Sequence, residues 1–157
     1  MRTIYVAGAS SEIERAEKWE AKLEEAGFRV ISGWTKNIRA VAKDMKASLT
    51  EAANPMSASH EQRNAWAQAN VINLSNADAF WLLLPETATI GGWIELGCAL
   101  MLAYVGQSAV EQGLLATGKY VLCSGTERSI MTALADHFAT DEEAFAFLTS
   151  KPETTDP

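Results

Sequence analysis

The chain has 157 residues, nearly half of them apolar, and a formal net charge of -7 at pH 7. That length and apolar content fit one compact domain with a real core, expected over residues 1–150, with a flexible polar tail over 151–157. The acidic balance argues against a protein that holds duplex nucleic acid by its phosphates, while a small phosphorylated ligand needs only a local nest of donors.

Residues 3–7 are β-branched and aromatic and predict a buried first strand, with "GAS" after it as a tight turn. The apolar run is too short for a signal peptide and is followed by acids, so a cytoplasmic protein is expected. The longest apolar neighbourhood, near 97–105, is broken by Gly and Tyr and is too short to span a bilayer, which points away from a membrane. Ser10 or Ser11 can cap the helix that follows, and Glu12 and Glu14 suit its positive end. Ala16, Trp19, Leu23 and Ala26 recur at helical spacing before Gly27 stops the helix. Residues 28–32 read as a second strand. This βαβ opening is the usual start of a doubly wound fold. Gly8, Ser10 and Ser11 can cradle a small anion or a ribose at a helix N-terminus, or form a plain capped turn; a dinucleotide fingerprint would need three glycines there.

A helix is predicted around 38–52, ended by Asn54-Pro55. Trp34 is either an aromatic lid on a flat ligand or ordinary packing. So long an excursion between strands is more often a cover over a binding site than idle loop. Residues 61–77 predict a helix with Trp66, Ala69, Asn73 and Ala77 near one face. Asn70 lies among apolar positions, a ligand contact if it points inward and filler if outward.

The run at 79–84 ends at Pro85 and has the pattern of a buried strand. A polar, Gly-rich turn follows over 86–92, and a helix from about Trp93 carries Glu95 in its first turn. Residues 106–118 look like an inserted loop with a short helical piece, 119–123 a fourth strand, 130–135 a helix, and 137–139 a fifth strand. Thr140 or Asp141 caps a last helix through Leu148. Cys98 and Cys123 are expected as buried free thiols, in keeping with a reducing compartment. His60 and His137 lack ligand partners at i+3 or i+4, so no metal is expected, and no Gly-x-Ser-x-Gly elbow offers a serine nucleophile.

The alternation predicts a three-layer α/β sandwich with a five-stranded parallel sheet, flavodoxin-like in its order 2-1-3-4-5. Ligands of such sheets bind beyond the carboxyl ends of the strands where the order reverses. That rule brings Tyr5 and residues 8–11 beside 86–95. Donors at a helix N-terminus would favour an ionised Glu95 by ~0.3–1 kcal/mol. A rigid, partly buried carboxylate can attack an anomeric carbon and form a glycosyl ester. Gly91 and Gly92 would let a sugar approach the backbone, and Tyr5 could fix the carboxylate's rotamer. The residues alone leave open that Glu95 merely complements the helix dipole.

"IYVAGA", "NADAFWLLLPETATIGGWIELGCAL" and "GKYVLCSG", in that order, resemble the nucleoside 2-deoxyribosyltransferase family, which includes hydrolases of nucleoside 5'-monophosphates. The core of the likeness is "GWIELG" after an apolar strand. The resemblance implies Glu95 as the nucleophile on C1' of the sugar, with Tyr5 touching it, no cofactor, and a homo-oligomer, dimer or higher. Asn70 stands where the family often has an Asp. Thr89 replaces an acid of the transferases at a point where the monophosphate hydrolases contact phosphate through a hydroxyl. Thr132 would add a contact from a neighbouring subunit, or be plain helix surface. An Asn cannot donate a proton as an Asp can, which weighs against base exchange between nucleosides. The implied activity is cleavage of the N-glycosidic bond of a (deoxy)nucleoside or its 5'-monophosphate, with transfer to another base or to water. A glycohydrolase of NAD, on the layout shared with TIR-type domains, and a non-catalytic nucleotide-binding module are the alternatives.

Overall fold

The strand and helix periodicities resolve into eleven regular elements and two 3-10 turns in a computed structural model, which describes residues 2–54, 57–87, 89–112, 119–127 and 129–150, without the side chains of 109 and 110. The strands are β1 (Thr3–Ala7), β2 (Arg29–Val30), β3 (Ala79–Leu83), β4 (Tyr120–Ser124) and β5 (Asp136–Phe138). The helices are α1 (Ile13–Glu25), α2 (Trp34–Met45), α3 (Leu49–Ala52), α4 (His60–Asn76), α5 (Gly91–Glu111) and α6 (Asp141–Ser150). All strand pairs are parallel, in the order β2-β1-β3-β4-β5. The expected flavodoxin-like sandwich is therefore present.

Period-two alternation divides the core into its two halves. Ile4, Val6, Trp81, Leu83 and Leu122 face Ala16, Trp19 and Leu23 of α1 and Ala144 and Leu148 of α6. Tyr5, Ala7, Phe80, Leu82, Val121 and Cys123 face Leu74 of α4 and Leu96 and Ala99 of α5. Every residue of β3 is buried because helices cover both its faces. The Lys119 ammonium donates to the Leu74 and Ala77 carbonyls and closes the end of α4.

Some elements differ from expectation. The helix expected over 38–52 is two helices: Lys46 takes a left-handed φ of 50° that closes α2, and Ser48 and Glu51 form a capping box that opens α3. The short helical piece expected within 106–118 is not separate but continues α5 as far as Glu111, where Gln107 and Glu111 share a hydrogen bond one turn apart at 3.2 Å. Residues 113–118 of that loop, and the expected tail at 151–157, lie outside the described residues. The helix expected at 130–135 is a 3-10 turn over Ile130–Leu134. Within it Thr132 is fully buried, its hydroxyl donating to Ser129 O at 2.6 Å and Glu127 Oε1 at 3.0 Å, so it is neither surface filler nor free for a neighbouring subunit. Cys123 is buried as expected, but Cys98 is exposed, because it falls on the outer side of α5.

At the carboxyl edge of β4, Asp141 ties α6 to α1 and β4. Its carboxylate accepts from Arg15 Nε and NH2 at 2.8 and 2.7 Å, from Trp19 Nε1 at 2.8 Å and from Ser124 Oγ at 2.6 Å. Ser124 in turn accepts from buried Trp81 Nε1 at 2.9 Å. Thr140 and Glu143, exchanging side-chain to backbone bonds of 3.2 Å each, cap α6, leaving Asp141 for this network.

Candidate active site

Strand order reverses between β1 and β3, so the crevice between their carboxyl ends is where a doubly wound sheet binds ligands. Tyr5 pairs in register with Phe80, and the two rings stack at 6.0 Å on the α5 side of the sheet. From there the Tyr5 hydroxyl donates to Glu95 Oε1 at 2.8 Å. Glu95 Oε2 has no hydrogen-bond partner among the described residues. The phenol is fully buried, and burial first, then the Glu95 charge and the hydrogen bond to it, push its pKa up. It therefore stays protonated and donates.

Glu95 is not a first-turn acid. The helix begins at Gly91, two residues earlier than expected, which leaves no acidic residue in its first turn. Burial raises the Glu95 pKa to about 6, against the opposing pull of the Tyr5 hydrogen bond. The carboxyl is still mainly ionised at pH 7, about nine in ten. It is held there at a desolvation cost that helix donors were expected to offset.

The glycines of the crevice differ in what they do. A Cβ on Gly92 would lie 3.0 Å from Leu82 Cδ1 and 3.7 Å from both Gly8 O and Thr89 Cγ2, so Gly92 is where α5 packs down between β1 and β3. Gly8 would accept a Cβ at ordinary contact, 3.7 Å from the Trp34 ring. A Cβ on Gly91 would meet nothing within 4 Å, which leaves open space on that side. Ser10 and Ser11 lie exposed in the 3-10 turn Ser10–Glu12, and neither caps α1, whose N-cap is Glu12 without a side-chain bond. Ser11 Oγ instead meets Thr87 Oγ1 at 2.7 Å, and Glu12 Oε1 accepts from Glu86 N at 2.8 Å. These two bonds join the turn after β1 to the turn after β3 across the crevice.

Asn70 points inward, into a cavity whose lining does not include Glu95. It lines a cavity of about 320 Å³ with Trp34, Trp66, Asn37, Asn54 and Arg63, between α2, α3 and α4. Trp34 joins this cavity to the crevice. Its indole N–H donates to Val6 O at 2.9 Å and its ring lies over Gly8, so it is packed in place and also forms a cavity wall. Glu20, buried in α1, accepts from Ser32 Oγ at 2.6 Å and Thr35 Oγ1 at 2.9 Å and pins the start of α2 around Trp34. Sequence reasoning singled out Trp34 and Asn70 but not Trp66 as a cavity wall, nor Asn37 or Arg63. Their shared signal is a 3.6-residue spacing, Arg63, Trp66 and Asn70 falling on one side of α4.

Among the described residues no three His, Cys, Asp or Glu side chains are grouped to hold a metal ion. No helix among them is long and apolar enough to cross a membrane.

No family model matches the chain. No curated protein matches it. Among solved structures it is similar to the CMP N-glycosidase BcmB of Clostridium botulinum, at 14% identity over 94% of this chain and 98% of that one, with a TM-score of 0.48.

Proposed function

We propose that the protein cleaves the N-glycosidic bond of a nucleoside or nucleoside 5'-monophosphate, with Glu95 as nucleophile. The observation that carries this reading is the Tyr5–Glu95 hydrogen bond of 2.8 Å at the switch point of the sheet. One carboxylate oxygen is held by a phenol that stays protonated, and the other is left to attack. In the first step Glu95 Oε2 bonds to C1' as the bond from C1' to the base nitrogen breaks, and the base leaves with that electron pair. The base takes a proton from solvent, since Asn70 is an amide and can only support it by hydrogen bonding. In the second step water, or a second base, attacks C1' and releases the carboxylate. As C1' gains positive character, negative charge on the carboxylate is worth more than in water because the site is largely buried.

The substrate's parts have candidate places. The cavity walled by Trp34 and Trp66, with amides at Asn37, Asn54 and Asn70, suits a flat heterocycle with hydrogen-bonding edges. Ser10, Ser11 and Thr89 supply hydroxyls at the crevice for a 5'-phosphate, and the open side of Gly91, beside closely packed Gly92, admits the sugar.

The test is release of free base from a panel of nucleosides and 5'-monophosphates by wild type and Glu95→Gln. Base release lost in the variant supports the reading, and no base from any substrate sinks it. Added free adenine or thymine distinguishes transfer from hydrolysis by the appearance of an exchanged nucleoside. Nucleotide-induced thermal stabilisation without turnover, equal in wild type and Glu95→Gln, would replace the enzyme with a binding module.

A further inference from the structure

The ladder between β3 and β4 runs one bond past β3, with Leu84 N donating to Ser124 O at 2.8 Å. Pro85 then has no N–H to give, so the sheet directs the chain no further. Beyond it comes the turn that carries Thr89 and Gly91 to the crevice. On one side the start of this turn meets open space rather than packed side chains. Leu84, Pro85 and Glu86 line a cavity of about 310 Å³, closed opposite by Gly125, Thr126 and Thr140. Polar side chains that follow β1 hold the turn instead. Arg15 Nη1 donates to Leu84 O at 2.9 Å, Glu12 Oε1 accepts from Glu86 N at 2.8 Å, and Ser11 Oγ meets Thr87 Oγ1 at 2.7 Å. The first two bonds secure the backbone on either side of Pro85. Arg15 and Glu12 are also bonded to each other, Nη1 to Oε2 at 2.9 Å. Arg15 is fixed in turn by the fork it makes on the Asp141 carboxylate. Gly125 leaves room for this, since a Cβ there would lie 3.4 Å from Leu84 O and 3.6 Å from Arg15 Nη2.

We propose that Glu12 and Arg15 are positioning residues for the reaction: they set the turn after β3, and through it the place of the substrate's sugar. This rests on the reading of Glu95 as nucleophile. Neither residue touches the reacting atoms; each acts through the backbone that leads to Thr89 and Gly91. Glu95 has anchors of its own, in the Tyr5 hydroxyl, the close packing of Gly92 on Leu82 and the burial of Leu96 in the core. Loosening the turn therefore misplaces the substrate and leaves the carboxylate and its ionisation as they are. That separates Glu12 and Arg15 from Tyr5, whose removal shifts the ionisation of Glu95.

Glu12→Ala in the full chain is the test, because it frees the turn while Arg15 keeps its fork on Asp141. The Glu86 amide should exchange its hydrogen ~10-fold faster or more, while the Leu84 amide, bonded within the sheet, keeps its rate. The kcat/KM for base release should fall ~10- to 100-fold, the loss that a displacement of about 1 Å brings. The acid limb that Glu95 sets near pH 6 should stay in place. Glu12→Gln, whose amide oxygen can still accept from Glu86 N, should recover most of both losses. Glu142→Ala, which removes an exposed ion pair with Lys18 of α1 at 3.5 Å, should match the wild type throughout. Wild-type exchange at Glu86 in Glu12→Ala overturns the proposal. So does faster exchange with unchanged kcat/KM, a displaced acid limb, or a Glu12→Gln no better than Glu12→Ala. A wild type that releases no base sinks the catalytic reading, and the positioning role with it, before any variant is made; the variants fail this proposal alone.

Discussion

Glu95 holds its proton more tightly in the folded chain than in the unfolded one, because burial raises its pKa to about 6. Two consequences follow from that sign. A nucleophilic carboxylate must be ionised, so kcat/KM should rise with pH and level off above an acid limb near 6. Tyr5→Phe removes the hydrogen bond that pulls this pKa down, so the limb should move to higher pH, with kcat down ~10- to 100-fold from loss of positioning. Stability runs the opposite way. Between the ordinary carboxyl range and pH 6 the folded state binds more protons than the unfolded state, so ΔG of unfolding falls as pH rises. Glu95→Gln keeps an acceptor for Tyr5 and removes the buried charge. It should stabilise the protein at pH 7 by up to about 2 kcal/mol, an advantage that disappears below pH 4.5 in urea unfolding. The pair itself was legible in the sequence, because strand periodicity and "GWIELG" place both residues at one sheet edge. The pKa was not, because it depends on how deeply the second turn of α5 is buried.

Helix α2 shows what periodicity misses. Ala16, Trp19 and Leu23 mark the inner side of α1, and Glu20 falls on that side too, yet nothing in the sequence says that its partners are 12 and 15 residues away. Those two bonds start α2 at Trp34, four residues before the expected helix. Burial raises the Glu20 pKa in spite of both hydroxyl donors. Glu20→Ala should cost ~1–3 kcal/mol by stranding Ser32 and Thr35, and should speed hydrogen exchange at the Trp34 indole. Glu20→Gln, which can bond to both hydroxyls, should do much less. An unchanged indole exchange rate in a folded Glu20→Ala would separate Glu20 from the placement of Trp34. The break between α2 and α3 was equally hidden, since a left-handed Lys46 has no sequence signature of the kind a glycine gives.

Across the whole molecule, strand order was readable because β-branched runs alternate with helical spacings, and parallel crossovers of one hand leave few ways to arrange them. The Asp141 network was not readable, since it joins residues from α1, β4 and α6 that share no local pattern. Burial pushes the Asp141 pKa up, but bonds from Arg15, Ser124 and Trp19 outweigh it and leave the pKa lowered. The network's contribution is thus complete above the ordinary Asp range and is lost as pH falls through the folded pKa. Asp141→Asn should cost about 3 kcal/mol at pH 7 by leaving Arg15 short of its partner, and the gap from wild type should narrow in strong acid. Acid and urea denaturation of the two proteins checks both statements.

The difference in burial among the tryptophans gives the protein its own optical probe. Trp19 and Trp81 are sealed in the layer that contains α1 and α6, whereas Trp34 and Trp66 wall the cavity between α2, α3 and α4, and Trp93 is half-buried on α5. A planar ligand that enters should quench the emission of the second pair and leave the first pair as an internal standard. Titration of unlabelled protein would then follow occupancy directly, and Trp66→Phe should reduce the response without shifting the baseline of the sealed pair.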